Sequence, residues 1–289
     1  MRGAAWFGAV LLGFTALPCA AQTVSVVAGE NFYGDVAQQI GGSGVAVTSI
    51  LTNPDQDPHL FEASASTARD LAGARLVIYN GADYDPWMAK LLSASKAPGR
   101  RVIEVATLVH KKAGDNPHLW YLPETMPAVA KAIAAELAAA DPTHKADYDQ
   151  RAQDFEASLK PLNDKVATMR QKFAGTPVTA TEPVFGYMAT ALGLKMRNDR
   201  FQLAVMNDTE PSASDIRAFE GDLKNHRVRV LLYNNQTEEA MTKRMQKLAQ
   251  DAKVPVVGVS ETEPPGKTYQ QWMTEQLDAL DKALSGSTS

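Results

Sequence analysis

The sequence is poor in the residues that announce chemistry. Its 289 residues hold one cysteine, five histidines and only 7% aromatic side chains. Cys19 lies in the first apolar stretch, so everything after it is thiol-free. That excludes a disulfide framework, a cysteine-held zinc site and a thiol nucleophile. Charge of one sign is also missing. There are 29 Lys and Arg against 33 Asp and Glu, net −4, and no run of basic residues. No field is available to hold nucleic acid. Past the first 21 residues no apolar run approaches a membrane span. No His-Glu-x-x-His, Gly-x-Ser-x-Gly or phosphate-loop motif occurs. What is present is 45% hydrophobic and 21% charged, a globular composition with room for one large or two modest domains. Function must come from a local site.

Residues 1–21 are a separate object. Arg2 gives a positive start, Ala4 to Leu17 is an uncharged apolar run, and Cys19-Ala20-Ala21 offers small residues before Gln22. This is the pattern of a secretory signal peptide. Its removal also removes Arg2, leaving 28 basic against 33 acidic residues, net −5. Pro18, directly before Cys19, is a poor fit to a lipidation site and argues against an anchor there. An exported chain without disulfides suits a bacterial periplasm.

Short β-rich runs alternate with helical ones. Strands are expected at Val24 to Val27, Val45 to Ile50, Leu76 to Tyr79 and Arg101 to Glu104, with helices at Phe32 to Ile40, Ser64 to Leu71, Trp87 to Leu92 and Met126 to Ala139. Such alternation implies parallel βαβ units. From Pro142 to Phe173 the strand signals stop. A helix of about 30 residues would run about 45 Å, a spine rather than an ordinary helix. Asp141 can cap it, and Pro161 should kink or split it. After Gly175 the alternation resumes, with strands at Pro177 to Ala180, Val228 to Tyr233 and Val254 to Val259. Helices are expected at Phe185 to Leu192, Ala213 to Leu223 (capped by Ser212), Thr237 to Ala252 and Tyr269 to Leu284. The expected fold is α/β: two lobes, each a mostly parallel sheet flanked by helices, joined by one long spine helix. The expected boundaries are 22–141, 142–174 and 175–289.

Two of the five histidines share a context. His59 stands in Asp57-Pro58-His59-Leu60-Phe61 after the second strand, and His118 in Asn116-Pro117-His118-Leu119-Trp120 after the fourth. Ligands of open parallel sheets bind beyond the carboxyl ends of the strands. Histidine is the commonest metal ligand, and a preceding proline limits the freedom of the loop. Each histidine alone would pass for a core residue bonded to a carbonyl; the pairing points to a shared site. His110, His144 and His226 have no such context and are expected in solvent.

These motifs resemble the solute-binding proteins of bacterial ATP-driven zinc and manganese importers, the cluster A-I group. The resemblance covers the chain after residue 21. It rests on Val26-Val27-Ala28-Gly29-Glu30-Asn31-Phe32-Tyr33, Asp57-Pro58-His59 with Glu62, Asn80-Gly81-Ala82 with Trp87, Asn116-Pro117-His118-Leu119-Trp120, and Phe185-Gly186-Tyr187 with Ala191-Leu192-Gly193-Leu194. It implies two α/β lobes with a metal ion held between them, an importer permease as partner, a monomer and no catalysis. It implies a third ligand three residues before Phe185, which is Glu182. It implies a carboxylate after the last strand, where this chain departs from the usual Asp and offers Glu261, with Glu263 as the alternative pointing into solvent. Glu62 and Asn116 are expected to support the ligands. Two imidazoles and two carboxylates make a fairly hard site. That leans toward manganese over zinc, with iron(II) also compatible. A secreted metallohydrolase using the same residues, with Glu62 as base, and a surface adhesin are the alternatives.

Overall fold

The computed structural model describes residues 23–55, 58, 61–236 and 239–286. The signal-peptide segment with Cys19, and the expected ligand His59, lie outside them. The first lobe runs β1 (Val24–Glu30), α1 (Asn31–Gly41), β2 (Val45–Leu51), α2 (Ala65–Gly73), β3 (Leu76–Tyr79), α3 (Pro86–Ala94), β4 (Arg101–Glu104), α4 (Val105–Leu108) and α5 (Thr125–Ala140). Helices α6 (Lys145–Ser158) and α7 (Lys160–Phe173) follow. The second lobe has β5 (Pro177–Ala180), α8 (Gly186–Ala191), β6 (Lys195–Arg197), α9 (Asp199–Met206), α10 (Ala213–Lys224), β7 (Leu231–Asn234), α11 (Ala240–Asp251), β8 (Val256–Val259) and α12 (Tyr269–Leu284).

Among the described residues the strands form two four-stranded parallel sheets, ordered β2-β1-β3-β4 and β6-β5-β7-β8. The two orders are the same when counted within each lobe. Each sheet reverses direction of winding between its first and third strands, and loops leaving the carboxyl ends there border a crevice. Register sets which side chains reach it. Val26 pairs with Leu76 in the first sheet, and Asn234 with Val259 in the second.

Several local signals behave as their chemistry requires. Buried parallel strands need apolar side chains on both faces, and β1 is buried along nearly its whole length. Ser212 caps α10 by accepting from the Asp215 N–H, and Thr268 with Gln271 forms a capping box for α12. The spine does split. A short 3-10 turn, Pro142–His144, leads into α6, and the chain breaks at Leu159 before α7. Pro161 sits in the first turn of α7, where its missing N–H has no partner to lose. Asp141 does not act as the expected cap. Its Oδ2 instead accepts from His144 Nδ1 at 2.6 Å and the Tyr148 hydroxyl at 3.1 Å. So His144 is paired rather than simply solvated. Strand β6 and helix α9 were not expected: β6 has three residues, exposed at both ends, and carries no alternation to read.

The lobes share one core. Phe32, Tyr33, Trp120 and Tyr121 of the first lobe and Phe185, Leu232 and Trp272 of the second belong to a single buried cluster. Trp120 is its centre, with ring centroids 4.7 Å from Phe32, 5.0 Å from Tyr84 and 5.4 Å from His118. Tyr121 carries the contact across to Phe185 at 5.2 Å and Trp272 at 6.1 Å. Truncating so central a ring leaves a cavity with neighbours on every side. Trp120→Ala should cost about 3–5 kcal/mol in urea unfolding. A loss under about 1 kcal/mol would show that the seam is not part of the cooperative core.

Candidate metal centre

Asn116, Pro117 and His118 leave the first sheet between β4 and α5. Pro117 holds Asn116 extended, and His118 is fully buried. Asn116 then does three things. Its Oδ1 accepts from His118 Nδ1 at 2.6 Å and from the His118 N–H at 3.1 Å. Its Nδ2 donates to Pro183 O of the second lobe at 2.7 Å, which fixes which way the amide faces. Its carbonyl accepts from the Tyr187 hydroxyl at 2.8 Å. A Cβ at Gly186 would stand 2.9 Å from Asn116 Nδ2, so glycine there is what admits the asparagine. With Nδ1 carrying the proton, Nε2 is the nitrogen presented to a ligand.

Glu182 follows β5 and is held extended by Pro183. Glu261 follows β8. Both are buried, at 4% and 1% exposure. Glu261 Oε2 lies 3.2 Å from His118 Nε2. A lone-pair nitrogen and a carboxylate oxygen repel at that range unless a cation or proton lies between them. Neighbouring ligands of a tetrahedral ion at 2.0–2.1 Å are separated by about 3.3 Å, so the pair fits. Glu182 joins through a third side chain: Asn234 Nδ2 donates to Glu261 Oε1 at 2.6 Å and stands 3.5 Å from Glu182 Oε2. The structure thus brings His118 and Glu261 into contact and links Glu182 through Asn234. Among the described residues, no three His, Cys, Asp or Glu side chains surround one point closely enough to hold an ion as they stand.

The loop after β8 corrects one expectation. Glu263 does not point into solvent; it is buried at 5% exposure. Its backbone is clasped by the first lobe, since Asn31 Nδ2 donates to Glu263 O at 2.7 Å and Asn31 Oδ1 accepts from the Glu263 N–H at 3.1 Å. Burial, and then the charge of Asp35, push its carboxyl up to about 9. Ser260 is fixed as well: its carbonyl accepts from the Tyr121 hydroxyl at 2.8 Å, and its Oγ accepts from Trp272 Nε1 at 3.0 Å. The Glu261 N–H donates to Gln236 Oε1 at 2.6 Å. Glu62 is solvent-exposed, as are His110 and His226.

Four residues escaped sequence reading. Asn80 directly follows β3 and is fully buried; its Nδ2 donates to Pro117 O at 2.8 Å, and its Oδ1 accepts from the Tyr33 hydroxyl at 2.7 Å. Asn234 does the corresponding work in the second lobe. Gly81, Ala82 and Asp83 are all left-handed (φ 75°, 51° and 64°), and this bend delivers Tyr84 and Asp85 inward. Asp85 accepts from the Asn80 and Gly81 N–H groups at 2.7 and 2.8 Å. The signal for Asn80 is the Asn-Gly pair, which marks a turn and gives no hint of a side-chain role.

Glu30, the last residue of β1, lies against Asp85. Burial, then the negative charge of Asp85, raise Glu30 well above its ordinary 4.5. The native state therefore keeps a proton that the unfolded chain releases. This contribution is complete below about pH 4.5 and fades as pH rises toward the raised native value. Glutamine cannot ionise. In metal-free protein the melting temperature of Glu30→Gln minus that of the native sequence should therefore increase steadily between about pH 5 and 8. A difference that stays constant with pH would mean that Glu30 is ionised in the fold.

The chain is similar to known proteins in sequence and in fold. The family model described as the periplasmic zinc-uptake complex component A, ZnuA, matches residues 26–283. The manganese ABC transporter substrate-binding lipoprotein PsaA of Streptococcus anginosus is 25% identical over 288 residues, covering 91% of this chain and 90% of the relative. The high-affinity zinc uptake system protein ZnuA of Bacillus subtilis is 26% identical over 263 residues, covering 81% and 80%. Among solved structures, the periplasmic zinc binding protein TroA from Treponema pallidum superimposes with a TM-score of 0.77 at 21% identity, covering 91% of this chain and 99% of that one. The Mn-bound periplasmic metal binding protein from candidatus liberibacter asiaticus does so with 0.72 at 18%, covering 91% and 100%.

Proposed function

The chain belongs to the ZnuA family of periplasmic metal-uptake components, and from that membership we propose which ion it takes and how it holds it. Members of the family are the metal-binding parts of ABC importers; the chain is a binder of manganese or zinc and not an enzyme. The metallohydrolase alternative is therefore set aside, and no residue favours an adhesin. One divalent ion is held by His118, Glu182, Glu261 and, from the segment outside the described residues, His59. The observation that carries this is the 3.2 Å approach of His118 Nε2 to Glu261 Oε2 in a buried junction.

Two neutral nitrogens and two carboxylates balance a divalent charge, and the oxygen share favours manganese, with zinc a close competitor and iron(II) compatible. Residues 22–141 and 175–289 act as the two ligand-bearing lobes, with 142–174 between them. The loaded monomer delivers its ion to a membrane permease from the periplasm. Several relatives are named lipoproteins. Pro18 before Cys19 therefore no longer weighs against an anchor.

Manganese and zinc competition titrations test the assignment. His118→Ala and His59→Ala should each weaken both ions by at least roughly a hundredfold, as expected when a ligand is removed from a shell whose mere supports are worth 10–100-fold. Glu182→His should shift the balance toward zinc. Wild-type affinity in both histidine variants would refute the site, and an unchanged ratio in Glu182→His would remove Glu182 from the ligands. Bound metal should raise stability by roughly 4 kcal/mol at a thousandfold excess over the dissociation constant.

A further inference from the structure

Asn234 is the last residue of β7 and is buried at 3% exposure. Its position is set by the ladder, because it pairs with Val259, two residues before Glu261. Its backbone N–H donates to Thr181 Oγ1 at 3.3 Å, beside Glu182. Its Oδ1 accepts from the Gln236 N–H at 3.0 Å. An amide with its oxygen committed in this way must turn its NH2 toward the carboxylates. There it donates to Glu261 Oε1 at 2.6 Å, while Glu261 Oε2 is the oxygen that faces His118. The Glu261 backbone is itself held in place, since its N–H donates to Gln236 Oε1 at 2.6 Å.

We infer that Asn234 sets the metal preference by holding Glu261 to one ligand oxygen. This rests on Glu261 being a ligand, as proposed above. Zinc is satisfied by four ligands in a tetrahedron, one atom from each side chain. Larger, harder divalent ions favour six or more oxygens and take carboxylates with both atoms. A hydrogen bond at Oε1 aims that oxygen at Asn234 and weakens it as a second donor to the ion. Manganese then loses a donor that zinc does not need. The carboxylates favour manganese by their chemistry, and Asn234 pulls the balance back toward zinc by their geometry. Asn234 is a positioning residue: it touches two ligands and not the ion.

The test uses the full-length mature protein stripped of metal. Manganese and zinc affinities are measured by competition for the native sequence, Asn234→Leu and Asn234→Ser. Leucine keeps the volume and removes the donor; serine keeps polarity but is too short to reach Glu261, and serves if leucine does not fold. The hydrogen bond to a charged group is worth enough to move the manganese-to-zinc ratio roughly tenfold toward manganese. Cobalt(II) supplies a second readout. Its visible absorption is intense in a four-coordinate site and weak at higher coordination, so the band should lose intensity in both variants. A merely structural asparagine would weaken both ions by the same factor. An unchanged ratio with an unchanged cobalt spectrum, or a shift toward zinc, overturns the inference. Glu261→Ala separates the two levels. If it retains native affinity, the ligand assignment itself fails. If it abolishes binding while the Asn234 variants keep the native ratio, only the role of Asn234 fails.

Discussion

Three glutamates, Glu182, Glu261 and Glu263, are buried within one junction between two sheets, and a fourth, Glu30, is buried at the end of β1. Few arrangements are more costly, because an isolated carboxylate loses its hydration without compensation. The surrounding structure supplies that compensation piecemeal. Asn234 donates toward two of the carboxylates, Asn31 clasps the backbone at the third, and Glu30 retains a proton beside Asp85. None of these partners carries a positive charge. In the proposed site a divalent ion would balance the carboxylates compactly.

The aromatic seam sets the dielectric in which that charge balance operates. Trp120, Tyr84 and Phe32 exclude water on the side of His118, and Tyr121 extends the wall to the second lobe. Low dielectric strengthens attraction to a bound cation and raises the cost of any unbalanced anion. Rigidity follows from the same packing. The loop bearing Glu261 is fixed by Gln236 from its own lobe and by Tyr121 and Asn31 from the other, so it belongs mechanically to both.

Much of this was legible in the sequence where a residue's role is local. Ser212 caps a helix wherever it stands, and Pro161 must open or break one; both did as their chemistry dictates. His118 was legible because a proline and a following aromatic residue restrict its loop. Asn80 and Asn234 were not. Each acts on a loop tens of residues away, through a contact that exists only once parallel strands have aligned, and an asparagine at a strand end reads as a turn. Glu263 failed for a related reason. Two prolines after a glutamate look like a solvated bend, and nothing local reveals that Asn31, 232 residues earlier, covers it. Strand β6 is too short to carry a period.

The matching strand order of the two sheets means that one layout is used twice in the chain. In each half, a buried asparagine at the end of the third strand reaches a loop that leaves the fourth: Asn80 holds Pro117 beside His118, and Asn234 holds Glu261. Two halves with one topology and one asparagine device put their candidate donors at matching places, a nitrogen at the fourth-strand loop of one and an oxygen at that of the other. Carried on one chain, the two halves meet without the concentration dependence of two separate molecules.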